Sequence, residues 1–218
     1  FLPASDDRFR VAFLNFYRPL LEKGSPSAFS SVKAVYSDAE KVRVIDKLIV
    51  ADVEELRKSS CFAGEQEKRN ATTLLWSLYF CAQHFDRLRQ WQRALAFIDE
   101  ALAHTPTLID LYVVKARICK HIGDFATAYT LADRARELDT ADRWLNSFCV
   151  RYALRADRLE DADRHMGFFA RAEEGWNNVF EMQNRFYVLN LGRSFMRQKR
   201  YGAAIKVFLL FETIYDQY

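Results

Sequence analysis

Apolar and small residues recur along this chain at the spacing of one helical face, and the same set returns at a fixed distance. Trp91, Ala94, Ile98 and Ala101 form one face, closed by Pro106; a step of 34 residues gives Phe125, Ala128, Ala132 and Ala135, and a second gives Leu159, Ala162, Met166 and Phe169. Each face follows a second helical set: Leu78, Cys81, Ala82 and Phe85, then Tyr112, Ala116 and Cys119, then Val150 and Ala153. A small residue at the first Ala position lets two helices approach closely, while the larger apolar residues fill the gap between layers. The pattern predicts an all-α tetratricopeptide-type helix-pair solenoid, a right-handed superhelix, with pairs near 75–108, 109–142 and 143–175.

A fourth pair over 185–218 uses Val188, Leu191, Gly192 and Phe195, then Tyr201, Ala204, Phe208 and Phe211, but it is out of phase: 42 residues separate Ala162 from Ala204. The eight extra residues are expected around Gly167 to Gly175, a place for a family-specific feature. Before residue 70 the register fails while helical periodicity continues over Arg8–Leu21, Ala28–Tyr36 and Asp38–Lys58, so 1–58 reads as divergent N-terminal helices. Gly24 and Pro26 mark a turn there, Ser37 with Glu40 reads as a capping box, and 59–70 reads as an exposed linker.

Composition narrows this picture. The chain has 7 Gly and 4 Pro, and Glu65–Thr105 and Asp124–Met166 contain neither, which leaves few places for hairpin turns and favours long helices. A net charge of +3 is too small to imply nucleic acid or membrane binding by itself, and no direct DNA binding is expected. Cys61, Cys81, Cys119 and Cys149 have no CxxC spacing and read as reduced core thiols. No apolar run reaches the length of a membrane span. The start without Met and the stop inside a helical pattern point to a fragment of something longer.

Candidate chemistry is sparse. His84, His104, His121 and His165 form no HxxxH or HxxE pair, so no metal site is expected, and His84 reads as a hydrogen-bonded core histidine. No strand-to-helix elbow is readable for a nucleophile, and no catalytic residue is expected. Lys199-Arg200-Tyr201-Gly202-Ala203-Ala204 approximates the phosphate loop of acetyl-coenzyme A binding acetyltransferases, but the repeat register accounts for its Gly and Ala.

Charge on the polar face of the first helix of each pair is the exception. The i, i+4 pairs are Gln83 with Arg87, Arg117 with His121, Arg151 with Arg155, and Arg193 with Arg197, with Lys120 beside the second. Stacking aligns them as a basic stripe on the concave face, where guanidinium groups favour carboxylate or phosphate partners. Arg87, Arg193 and Arg197 are read as inner-face partner contacts. A carboxylate clamp of the chaperone-binding kind, the alternative of a free-standing co-chaperone or assembly scaffold, wants Lys and Asn where this chain has Tyr79 and Gln83, Val113 and Arg117, Ser147 and Arg151.

Longer strings carry a family resemblance. They are Thr72-Thr73-Leu74-Leu75-Trp76, Ala82-Gln83-His84-Phe85-Asp86, Thr105-Pro106-Thr107-Leu108-Ile109-Asp110-Leu111, Val114-Lys115-Ala116-Arg117-Ile118-Cys119-Lys120-His121-Ile122-Gly123 and Leu138-Asp139-Thr140-Ala141-Asp142-Arg143. Lys23-Gly24-Ser25-Pro26 and Lys41-Val42-Arg43-Val44-Ile45 extend the match upstream, and Tyr201-Gly202-Ala203-Ala204 downstream. With these the chain resembles the large auxiliary subunit of the protein N-terminal acetyltransferase A complex.

The resemblance implies an internal segment of a cytoplasmic, ribosome-associated, non-catalytic scaffold. It implies that this scaffold wraps a separate catalytic acetyltransferase subunit, which binds acetyl-coenzyme A and acetylates the α-amino groups of nascent chains. It also implies inositol hexakisphosphate binding at the subunit junction through Lys115, Arg117, Lys120, His121, Arg143 and Arg151. Phe148 stands where the resemblance leads one to expect Lys, so that phosphate contact is either lost or supplied by Arg151 or Arg155.

Overall fold

A computed structural model describes residues 2–4, 6–169 and 185–216, the side chains of 213–216 aside. Regular structure among the described residues is helical, apart from one isolated antiparallel bridge between Cys61 and Lys68. The helices are α1 (Asp7–Glu22), α2 (Ala28–Val32) with a 3-10 turn (Lys33–Ser37), α3 (Ala39–Ser59), α4 (Ala71–Arg87), α5 (Trp91–His104) and α6 (Ile109–Ile122). They continue as α7 (Phe125–Leu138), α8 (Arg143–Arg155), α9 (Leu159–Gly167), α10 (Arg185–Arg197) and α11 (Tyr201–Asp216). The chain divides into two compact units, 1–118 and 119–218.

The 34-residue register has a backbone signature. Arg89, Gly123 and Asp157 all adopt positive φ, and so does Lys199 in the displaced pair. Each closes a first helix in the same way: Gln90 N donates to Phe85 O, Asp124 N to Cys119 O, Arg158 N to Ala153 O and Arg200 N to Phe195 O. These bonds satisfy carbonyls that a helix end leaves unpaired, and the left-handed residue redirects the chain into the second helix two positions later. Only Gly123 takes that conformation without a Cβ penalty, at a φ of 98°. The Lys199–Ala204 segment is therefore a helix-pair turn followed by the first turn of α11, and not a phosphate loop.

In the first unit, α4 is the central element. Leu75 and every residue from Ser77 to Phe85 are buried, so this helix is covered on all sides. Tyr17 of α1 meets Phe80 edge-on with ring centroids 4.8 Å apart, and Ile45, Ile49, Phe62, Leu78, Phe85 and Ile98 complete a fully buried core. Central placement corrects one sequence expectation: Gln83 is not on a solvent face but buried, its amide turned to Tyr79 O.

Two further expectations change in this unit. The cap of α3 is Asp38, whose carboxylate accepts from Glu40 N at 3.0 Å and Lys41 N at 3.2 Å. Ser37 instead donates to Ala34 O, because the 3-10 turn places it one residue too early. The segment 59–70 is not an exposed linker. Cys61 and Phe62 are buried, and Ala63 N donates to the fully buried Asp52 carboxylate at 3.0 Å. Arg18 grips Asp52 through two nitrogens and reaches Glu65 at 2.6 Å, while Arg69 pairs with Glu22, Glu65 and Glu67. A buried carboxylate is tolerated here because guanidinium and amide donors replace its water.

In the second unit α7 packs on α8, α8 on α9 and α10, and α10 on α11. The register alanines Ala128, Ala132, Ala135, Ala162 and Ala204 are fully buried. Gly192 permits the closest approach: a Cβ there would lie 2.5 Å from the Phe208 ring. Of the stretch expected to absorb the displacement, residues 170–175 lie outside the described residues.

Candidate anion-binding site

The basic residues singled out by the sequence fall into three settings. On α6, Lys115 is committed: its Nζ lies 2.7 Å from Asp99 Oδ1, an ion pair from α6 to α5. Arg117 is half-buried beside Tyr79, whose hydroxyl is pushed above its usual range by burial. Lys120 and His121 stand in the last turn of α6, where the helix dipole favours positive charge.

On α8, Arg143 and Arg151 are exposed and each lies over an aromatic face, Phe169 and Phe186, at 5.5 Å. The departure at Phe148 has a structural consequence. Its ring is buried, stacks on Trp144 at 5.3 Å and 14°, and continues to Tyr152 at 4.3 Å. Phe148 thus sits in an aromatic ladder, and Trp144 remains 57% exposed at its end.

The third setting brings residues together. Arg155, Arg193 and Arg197, with Phe125 and Asn190, line one hollow of about 210 Å³ in the second unit. Arg197 is held in place, donating to Asp157 at 2.8 Å and to Leu154 O at 2.5 Å, while Ser194 donates to the same carboxylate. No described acid pairs with Arg155 or Arg193. Three guanidinium groups with one carboxylate between them leave a surplus of positive charge, in donor geometry suited to a phosphate or carboxylate oxygen. Arg87, in the last turn of α4, is exposed in the first unit.

A second cluster was not legible in the sequence. Asp133 of α7, Cys149 of α8 and His165 of α9 place one donor atom each within 4.8 Å of the others. Their even spacing of 16 residues, one step per antiparallel helix, was the available signal. A search for two ligands on one helical face passes over it.

Comparison with known proteins agrees with the fold and the strings. The family model described as "N-terminal acetyltransferase A, auxiliary subunit" matches residues 2–218. The Arabidopsis thaliana N-terminal acetyltransferase A complex auxiliary subunit NAA15 is 43% identical over 96% of this chain and 23% of its own length. The Homo sapiens N-alpha-acetyltransferase 16, NatA auxiliary subunit, is 40% identical over 92% of the chain and 24% of its own length. The chain thus spans about a quarter of these relatives. A solved structure of Naa15/Naa10 bound to HypK-THB superposes with a TM-score of 0.86 at 30% identity, covering 98% of this chain and 32% of that one. This chain belongs to the N-terminal acetyltransferase A auxiliary subunit family.

Proposed function

We propose that this segment is a non-catalytic scaffold that binds and positions the catalytic acetyltransferase subunit for co-translational N-terminal acetylation at the ribosome in the cytoplasm. Acetyl-coenzyme A and the reacting groups belong to the partner in this reading, which rests on family membership and on the likeness to an Naa15 chain solved with Naa10. The observation that carries the partner-binding part is the arginine hollow of Arg155, Arg193 and Arg197, whose cationic surplus calls for an anionic group from outside the chain. Its volume suits one phosphate or carboxylate group. A hexakisphosphate would rest one phosphate there and extend toward further cations. Lys115 contributes mainly to the α5–α6 ion pair, and the exposed Arg143 and Arg151 of the second unit are the candidates for those contacts.

Calorimetric titration of inositol hexakisphosphate into the complex tests the anion site. Reversing Arg155 and Arg193 to Glu, or Arg143 and Arg151 to Glu, is expected to weaken binding at least about tenfold, the effect of losing a charge-assisted contact, with helical content retained. Unchanged affinity in both double variants overturns the assignment.

A further inference from the structure

We propose that Asp133, Cys149 and His165 form a site for a borderline-soft divalent cation, best matched by zinc, which ties α7, α8 and α9 together. The donors come from three consecutive helices and converge on the Asp133 carboxylate. Its Oδ1 lies 3.5 Å from His165 Nε2 and 3.7 Å from Cys149 Sγ. Tetrahedral zinc, with bonds of about 2.0–2.3 Å, places its ligand atoms roughly 3.3–3.8 Å apart, so two of the three edges already have the required length. The third, within 4.8 Å, closes by small side-chain rotations. Tyr129, whose hydroxyl lies 3.2 Å from His165 Nε2, or a water supplies the fourth position.

The repeat register gives an independent argument. One period earlier the equivalents of Asp133 and Cys149 are Asp99 and Lys115, and there the lysine ammonium sits 2.7 Å from the carboxylate. In the later layer a thiol stands at the lysine position, Arg136 in place of Leu102 supplies the cation on Asp133, and a buried imidazole, His165, stands at the position equivalent to Leu131. The carboxylate that is paired with a lysine in one layer faces two metal-type donors, beside Arg136, in the next.

Charge is compatible with this reading. Arg136 donates to the same Asp133 Oδ1 at 2.7 Å, and Arg164, which also acts on His165, is bound with Arg158 to Asp161. With Cys149 ionised, the two anions outweigh Arg136 and leave one negative charge for a divalent ion. Burial holds the His165 imidazole neutral, as a ligand must be, with its Nδ1 unpartnered among the described atoms. Burial also raises the Cys149 thiol, so the metal must displace its proton to solvent on binding.

Cobalt(II) added to the reduced chain is the probe. The expected result is saturable binding of one equivalent with a thiolate-to-cobalt charge-transfer band, displaced by zinc, absent in Cys149→Ser, and shifted at least about tenfold to higher cobalt in His165→Gln. Cys61→Ser, outside the cluster, should leave the band intact. Absence of a charge-transfer band in the folded unsubstituted chain contradicts the site, whatever the variants do. Persistence of the band in a folded Cys149→Ser or Cys149→Ala variant contradicts it equally.

Discussion

His84 shows how much one side chain constrains its surroundings. It is fully buried on the central helix, its Nδ1 is 2.5 Å from the Tyr36 hydroxyl, and its Nε2 is 3.6 Å from Asp46. Burial pushes the imidazole down to about 4, outweighing the raising pull of Asp46, from 6.5 in the unfolded chain. The unfolded state therefore binds a proton that the folded state refuses. Stability should be full above pH 6.5 and fall as pH drops toward 4, by about 3 kcal/mol if the whole shift is expressed. His165 is pushed the same way, so the contribution is isolated by comparison. Urea unfolding of His84→Gln should show lower stability at pH 7.5 and a flatter dependence between pH 6.5 and 4 than the unsubstituted chain; parallel curves refute this. That His84 is a hydrogen-bonded core histidine was readable from its helical position. Its partners were not, since Tyr36 and Asp46 come from elements outside the repeat register.

The helix pair is the unit in which the sequence is most informative. A face of small and large apolar residues recurs along the helices, because a repeated inter-helix distance demands Ala at the same place each time. Errors arose where packing departs from that repeat. Gln83 looked solvent-facing because α4 was given one covered side, whereas α1, α2, α3 and α5 all pack on it. The segment 59–70 looked like a linker because its anchors, Arg18 and Asp52, are distant in sequence and polar. The turns offer a test at this scale. Arg89 and Asp157 share one left-handed geometry, so changing either to Gly relieves the same backbone strain. Asp157 also accepts from Ser194 and Arg197, contacts Arg89 lacks. Thermal or urea unfolding should find Asp157→Gly about 1–2 kcal/mol less stable than Arg89→Gly, the worth of partly exposed charge-assisted bonds. Equal stabilities would show that those bonds contribute nothing to joining α10 to the α8–α9 turn.

Across the molecule, the helix pairs determine which surfaces the segment can offer. They supply long surfaces and ion pairs between neighbours but no elbow for a nucleophile, and no described helix is long and apolar enough to cross a membrane. Of the basic residues expected from the stripe and from the resemblance together, three share a hollow, two lie over aromatic rings and one is neutralised by Asp99, because charge pattern fixes a face and not a partner. What the surfaces serve is set by the protein to which the segment belongs. The most direct test is affinity isolation of the full-length protein, with its stoichiometric companions identified by mass spectrometry. An acetyl-coenzyme A dependent acetyltransferase subunit is expected in equal amount, with N-terminal acetylating activity that tracks the complex. A stable set of partners containing no acetyltransferase would contradict it.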